Sequence, residues 1–205
     1  MNYLDFRNKM FNLGCFSNNQ VYAWQPDFDK NNLGRWVQKG WLVRLKNGMY
    51  SFTENLQQPD YAYYVANRMY RPSYISLHTA LAFYGMIPES VVQITSVTTL
   101  KTIEFTNSFG IFSYKSIRKD LMFGYDLKEF SDGRMLLFAK PEKALLDLLY
   151  LYSFYNKEIE LENLRLDEDF MQNEIDIELL KTYCDRINNH ALQKRLNLLI
   201  KTYML

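Results

Sequence analysis

Between Lys30 and Asn47 the chain gathers side chains that can read or grip a nucleic acid. Lys30, Asn31, Arg35, Gln38 and Lys39 recur on one face of an expected helix, opposite an apolar stripe of Leu33, Trp36 and Val37. Arg pairs with guanine edges, and Asn or Gln with adenine edges. Asn31, Arg35 and Gln38 are therefore the expected base readers. Lys30, Lys39, Arg44 and Lys46 are expected on phosphates, which hold register without reporting sequence. Asn47, at the tip of the following turn, completes this group. Asn18 and Asn19 open the preceding helix and are expected to offer backbone N–H groups to a phosphate. The same polar face would also serve a solvated helix or a protein-interaction module.

The elements that position these residues follow from local signals. Asp29 can cap the helix, and Gly40 stops it. Trp41–Lys46 and Met49–Phe52 read as strands around Asn47-Gly48, the dipeptide of two-residue hairpins, whose turn residues need positive φ. Upstream, a helix starts at Asn2 or Asp5, runs to about Leu13 with Leu4 and Phe11 one heptad apart, and ends at Gly14. Ser17 caps a short second helix through Gln20, Val21 and Trp24, closed by Pro26. Three helices and a hairpin in about 50 residues have the size of a winged helix-turn-helix. Residues 1–56 are read as that unit.

Two other groupings carry residue types used in catalysis. Ser76 and His78 lie two apart at one helix start, so their side chains diverge and build no triad. Glu142, Lys143 and Asp147 resemble a nuclease cluster only superficially. Lys143 and Asp147 at i, i+4 are expected as a surface ion pair, and Glu142 as an acid in a helix first turn. No catalytic set, metal site or cofactor is expected. Cys15 and Cys184 stand alone, as in a reducing compartment. Without an apolar span or a signal peptide, the expected setting is cytoplasmic and away from membranes.

The net charge of +1 excludes a chain that binds nucleic acid by bulk charge. Residues 1–58 nevertheless hold seven Lys and Arg against four Asp and Glu. The stretch 53–60 is read as a linker or the entry to the next element, with Pro59 launching a helix over Tyr61–Met69 that Arg71-Pro72 ends. Ser76 is read as the cap of a helix ending at Gly85, with Leu77, Ala80, Leu81 and Tyr84 on one face. Val91–Thr99 reads as a strand. Hairpins are expected around Thr106-Asn107-Ser108 and Ser131-Asp132-Gly133. Pro141 opens a helix with an apolar stripe of Leu145, Leu148, Leu149 and Tyr152. An acidic stretch from Lys157 to Asp185 precedes a basic amphipathic helix, Ala191–Tyr203. The fold class is α+β: the winged unit, then a mixed α+β domain over residues 57–205 with a helical tail.

The order of pieces resembles a known family. After the winged unit come Tyr74–Gly85 (YISLHTALAFYG), Ile94–Thr98 (ITSVT), Phe109–Tyr114 (FGIFSY) and Ala139–Tyr150 (AKPEKALLDLLY). Residues 1 to about 152 resemble the AbiEi antitoxins of type IV toxin–antitoxin systems, which include phage-defence abortive-infection loci. Lys140 departs from the Ser, Thr or Asp that a helix cap favours. The resemblance implies an autorepressor that binds repeats in double-stranded promoter DNA through the winged helix; winged helices that read inverted repeats need two copies on DNA, which leaves a homodimer on DNA open. It also implies that the second domain counteracts a cognate nucleotidyltransferase toxin without needing a stable complex. The rival readings are an interaction module without DNA binding, or a nuclease-like enzyme in a phage-defence locus.

Overall fold

The computed structural model describes residues 2–130 and 133–204. Helix α1 (Tyr3–Met10) starts at Asn2, whose side-chain oxygen accepts the Asp5 N–H at 2.9 Å. It buries Phe6 and Met10, an i, i+4 pair, while Leu4 is 65% exposed. Two residues from Phe6, Leu4 lies on the far side of a two-turn helix, so the expected heptad pairing with Phe11 does not form a ridge. After strand β1 (Cys15–Ser17), α2 (Asn18–Trp24) carries a full capping box between Ser17 and Gln20. The Asp29 carboxylate accepts the Asn31 N–H at 3.0 Å at the start of α3 (Asn31–Gln38).

Strands β2 (Leu42–Lys46) and β3 (Met49–Phe52) form the hairpin, and β1 pairs with β3, giving an antiparallel sheet of order β1-β3-β2. The turn differs in detail from expectation. Gly48 has φ 71, Asn47 is not in the left-handed region, and the register shifts between Arg44 and Lys46. A bulge of this kind adds twist at the hairpin tip.

Alternation along the hairpin feeds two cores. Leu42, Tyr50 and Phe52 join Phe6, Phe16, Leu33 and Trp36 beneath the three helices. Val43, Leu45 and Met49 point the other way, into the core of the rest of the chain. The polar stretch 53–60 is the entry to the next element: it makes a 3₁₀ turn, Thr53–Gln57, whose Asn55 is buried and donates to Ser51 and Tyr61.

Helix α4 (Tyr61–Met69) matches its predicted span. Strand β4 (Ser73–Ile75), helix α5 (Leu77–Phe83) and strands β5 (Gln93–Thr98), β6 (Ile103–Asn107), β7 (Gly110–Ser116), β8 (Tyr125–Glu129) and β9 (Met135–Ala139) follow. The strands form one mixed sheet of order β6-β7-β5-β4-β9-β8, with β4–β9 and β5–β7 parallel. The β6–β7 turn falls on Ser108-Phe109, because Asn107 pairs with Gly110. In the β8–β9 hairpin, Ser131 and Asp132 lie outside the described residues.

Helix α6 (Pro141–Leu151) is buried from Glu142 through Leu149, not along one stripe. Helices α5, α9 (Ile177–Ile187) and α10 (His190–Thr202) surround it. The tail, with α7 (Glu158–Glu162) and α8 (Glu168–Asn173), shares this core through Leu161, Met171, Leu180 and Leu199. The fold is thus α+β. No helix among the described residues is long and apolar enough to cross a membrane.

Candidate nucleic-acid interface

Leu33 and Trp36 anchor α3 in the first core, which turns Lys30, Asn31, Arg35 and Gln38 to solvent. Arg44 projects from the exposed side of β2, and Asn18 approaches from α2. These six residues and Tyr50 line one open depression of about 370 Å³, with no Asp or Glu among the described residues of its lining. The Arg44 guanidinium lies 5.8 Å from the Tyr50 ring centre. Arg35 is steadied by Asn32 Oδ1 at 3.3 Å and faces Asp29 Oδ2 at 3.9 Å. Such an exposed pair is weak and readily exchanged for a ligand.

The remaining predicted residues divide. Lys39 leaves the depression and sets its ammonium 4.6 Å from the Trp41 ring centre. Asn19 is exposed on α2 but lines neither this depression nor the next. The expected role of the Asn18 backbone needs correction. Its N–H already donates to the Gly48 carbonyl at 3.0 Å, tying α2 to the hairpin turn, so only its side chain faces the depression. The Asn18 Oδ1 is buried without a hydrogen-bond partner.

Lys46 and Asn47 belong to a second depression, of about 510 Å³, shared with Ser17, Gln20, Arg68 and Arg71. Burial lowers the pKa of Lys46, whose ammonium lies 5.5 Å from the Tyr70 ring centre and 5.7 Å from that of Phe105. Burial and then the neighbouring Arg68 charge lower that of Arg71. Among the described residues, none of these three cations has an acidic partner. Three unmatched cations raise the local affinity for anions. Arg68 and Arg71 were missed in the sequence because they lie beyond the expected boundary of the winged unit. Their position beside Lys46 depends on α4 packing against the hairpin.

Ser76, Glu142, Lys143 and Asp147 lie in the interior instead. Lys143 and Asp147 do pair, but inside the protein, with side chains 0% and 3% exposed. Asp147 Oδ2 accepts from Tyr74 Oη and Ser76 Oγ, each at 2.8 Å, while Lys143 Nζ donates to Asp147 Oδ1 and to Tyr74 Oη. The surface pair expected from i, i+4 spacing is therefore a buried network, because α6 is covered on all sides. Ser76 makes no cap hydrogen bond to α5; its hydroxyl is spent on Asp147. Burial, reinforced by Asp147, holds the Tyr74 phenol well above its ordinary range. Glu142 Oε1 accepts the Asp176 N–H at 3.1 Å and ties α6 to the start of α9. The His78 ring centre lies 5.8 Å from that of Tyr152, while the Ser76 hydroxyl donates to Asp147.

Comparison with protein-family models and with curated proteins finds no match to this chain.

Proposed function

We propose that the chain is a double-stranded-DNA-binding regulator of the antitoxin type. Residues 1–56 act as a winged helix-turn-helix, with α3 as the groove-entering helix and the β2–β3 hairpin as the wing. The observation that carries this reading is the acid-free depression lined by Asn18, Lys30, Asn31, Arg35, Gln38 and Arg44. Amide and guanidinium groups on a helix face are the groups that read major-groove edges. The second depression extends the phosphate-binding surface onto Arg68 and Arg71. With so few cations, one copy binds weakly, and two copies on an inverted repeat supply the affinity. The resemblance to AbiEi antitoxins supports autorepression, and assigns residues 57–205 the task of counteracting a nucleotidyltransferase toxin.

The test is duplex binding by the full chain across a salt series. The duplex comes from DNA immediately upstream of its own coding sequence, and a shuffled duplex serves as control. Arg35→Ala and Gln38→Ala should each cost about 1–3 kcal/mol on the upstream duplex and relax preference. Lys46→Ala, Arg68→Ala and Arg71→Ala should weaken both duplexes alike and each lower the salt slope by about 1. Equal affinity of the parent chain for upstream and shuffled duplexes would refute sequence-specific binding. Co-expression with the adjacent gene tests the second role; toxicity unrelieved by the full chain would refute it.

A further inference from the structure

The chain has eight glycines, and seven of them adopt positive φ, where a side chain would be strained. Gly34 alone does not. It sits in the middle of α3, where glycine is among the least favourable residues. Apart from its chain neighbours and the backbone of its own helix, no heavy atom lies within 4 Å of the place its Cβ would occupy, so no packing neighbour requires a glycine there. Neither backbone conformation nor packing accounts for it.

Its surroundings supply an account. Gly34 lines the acid-free depression, one helical turn from Lys30 and Asn31 on one side and from Gln38 on the other. It is a notch without a side chain at the centre of the row of groups assigned to base reading. Glycine is the residue that lets a backbone approach a ligand closely.

We propose that Gly34 is a specificity-determining position: it lets the α3 backbone seat against base-pair edges, so that Asn31, Arg35 and Gln38 reach them together. This rests on the duplex-binding reading above. A side chain at position 34 holds the helix off the groove floor. Phosphate contacts through Lys46, Arg68 and Arg71 survive, whereas direct base contacts are weakened in step with the size of the added side chain.

The experiment compares Gly34→Ala and Gly34→Gln with the parent chain in thermal melting and in binding to the upstream and shuffled duplexes. Both replacements are better helix formers than glycine. Both should raise the melting temperature. Both should weaken binding to the upstream duplex, Ala by about tenfold, the size of one lost base contact, and Gln by more. Affinity for the shuffled duplex should stay within about twofold, since phosphate contacts carry it. Unchanged affinity for the upstream duplex would overturn the proposal, and so would equal loss on both duplexes. If Arg35→Ala still relaxed preference in either case, the duplex-binding reading would stand without it. A parent chain with no preference for the upstream duplex would overturn both.

Discussion

The polar face of α3 and the ionic cluster beneath α6 use the same kinds of side chain in opposite ways. On α3 and the hairpin, Lys30, Lys39, Arg44 and Lys46 have no acidic partner among the described residues. Beneath α6, Asp147 receives hydrogen bonds from Lys143, Tyr74 and Ser76, and the whole group is enclosed. A charge left unmatched in water is ready for a ligand. A charge matched donor for acceptor in the interior holds elements together. Residue type does not separate these roles; the local balance of donors and acceptors does.

The largest effect is expected from breaking the enclosed side. Asp147→Ala strips three donors of their acceptor and leaves Lys143 charged in the core, a change that costs about 3–5 kcal/mol. Urea unfolding should register it as a large fall in midpoint, or soluble protein should be lost altogether. Lys143→Met with Asp147→Leu removes both charges and should recover part of that loss, the Tyr74 and Ser76 hydroxyls still lacking their acceptor. If Asp147→Ala were as stable as the parent, the cluster would not be holding the sheet to α6, and the contrast with α3 would fail.

An alkaline titration probes the enclosed side more gently. Burial pushes the Cys15 thiol up to about 12 and raises the phenols of Tyr61, Tyr74 and Tyr114. In the unfolded chain thiols ionise near about 8.5 and phenols near about 10. Above those values the unfolded state sheds protons that the folded state keeps, so stability falls as pH rises. The contribution is whole below about pH 8.5 and lost progressively toward pH 12. Denaturant midpoints at neutral pH and through this window should decline steadily. A flat profile would show that these groups ionise as readily in the folded protein as in the unfolded chain.

The sequence made local devices readable and long-range enclosure unreadable. The Ser17–Gln20 box, the Asp29 carboxylate's bond to the Asn31 N–H (with Lys30, not Asp29, at the N-cap position), the start of α4 after Pro59 and the start of α6 at Pro141 each depend on a few adjacent residues, and the structure has them. The exposed face of α3 was readable because an eight-residue helix with a strong apolar stripe has only one way to turn. The buried network was not. Tyr74 and Ser76 are 73 and 71 residues from Asp147. At i, i+4 spacing a lysine and an aspartate look the same whether water or Phe123 lies beside them. The second depression escaped for a similar reason, since Lys46 and Arg71 meet only through tertiary packing.

The smallest predicted effect bears on Asp29, an acid beside the open face. Asp29 faces Arg35 at 3.9 Å and also accepts the Asn31 N–H. Asp29→Asn keeps an acceptor for the cap, so stability should change by less than about 0.5 kcal/mol. It frees Arg35 and removes one negative charge, so affinity for every duplex should rise by a few-fold, most at low salt. The opposite result would carry more information. If Asp29→Asn weakened binding to the upstream duplex alone, the pair would be orienting Arg35 toward a base rather than competing with it. The open face would then share the logic of the buried cluster, with an acid fixing a base for its task. The difference between the two regions would be one of degree, set by how much water each pair retains.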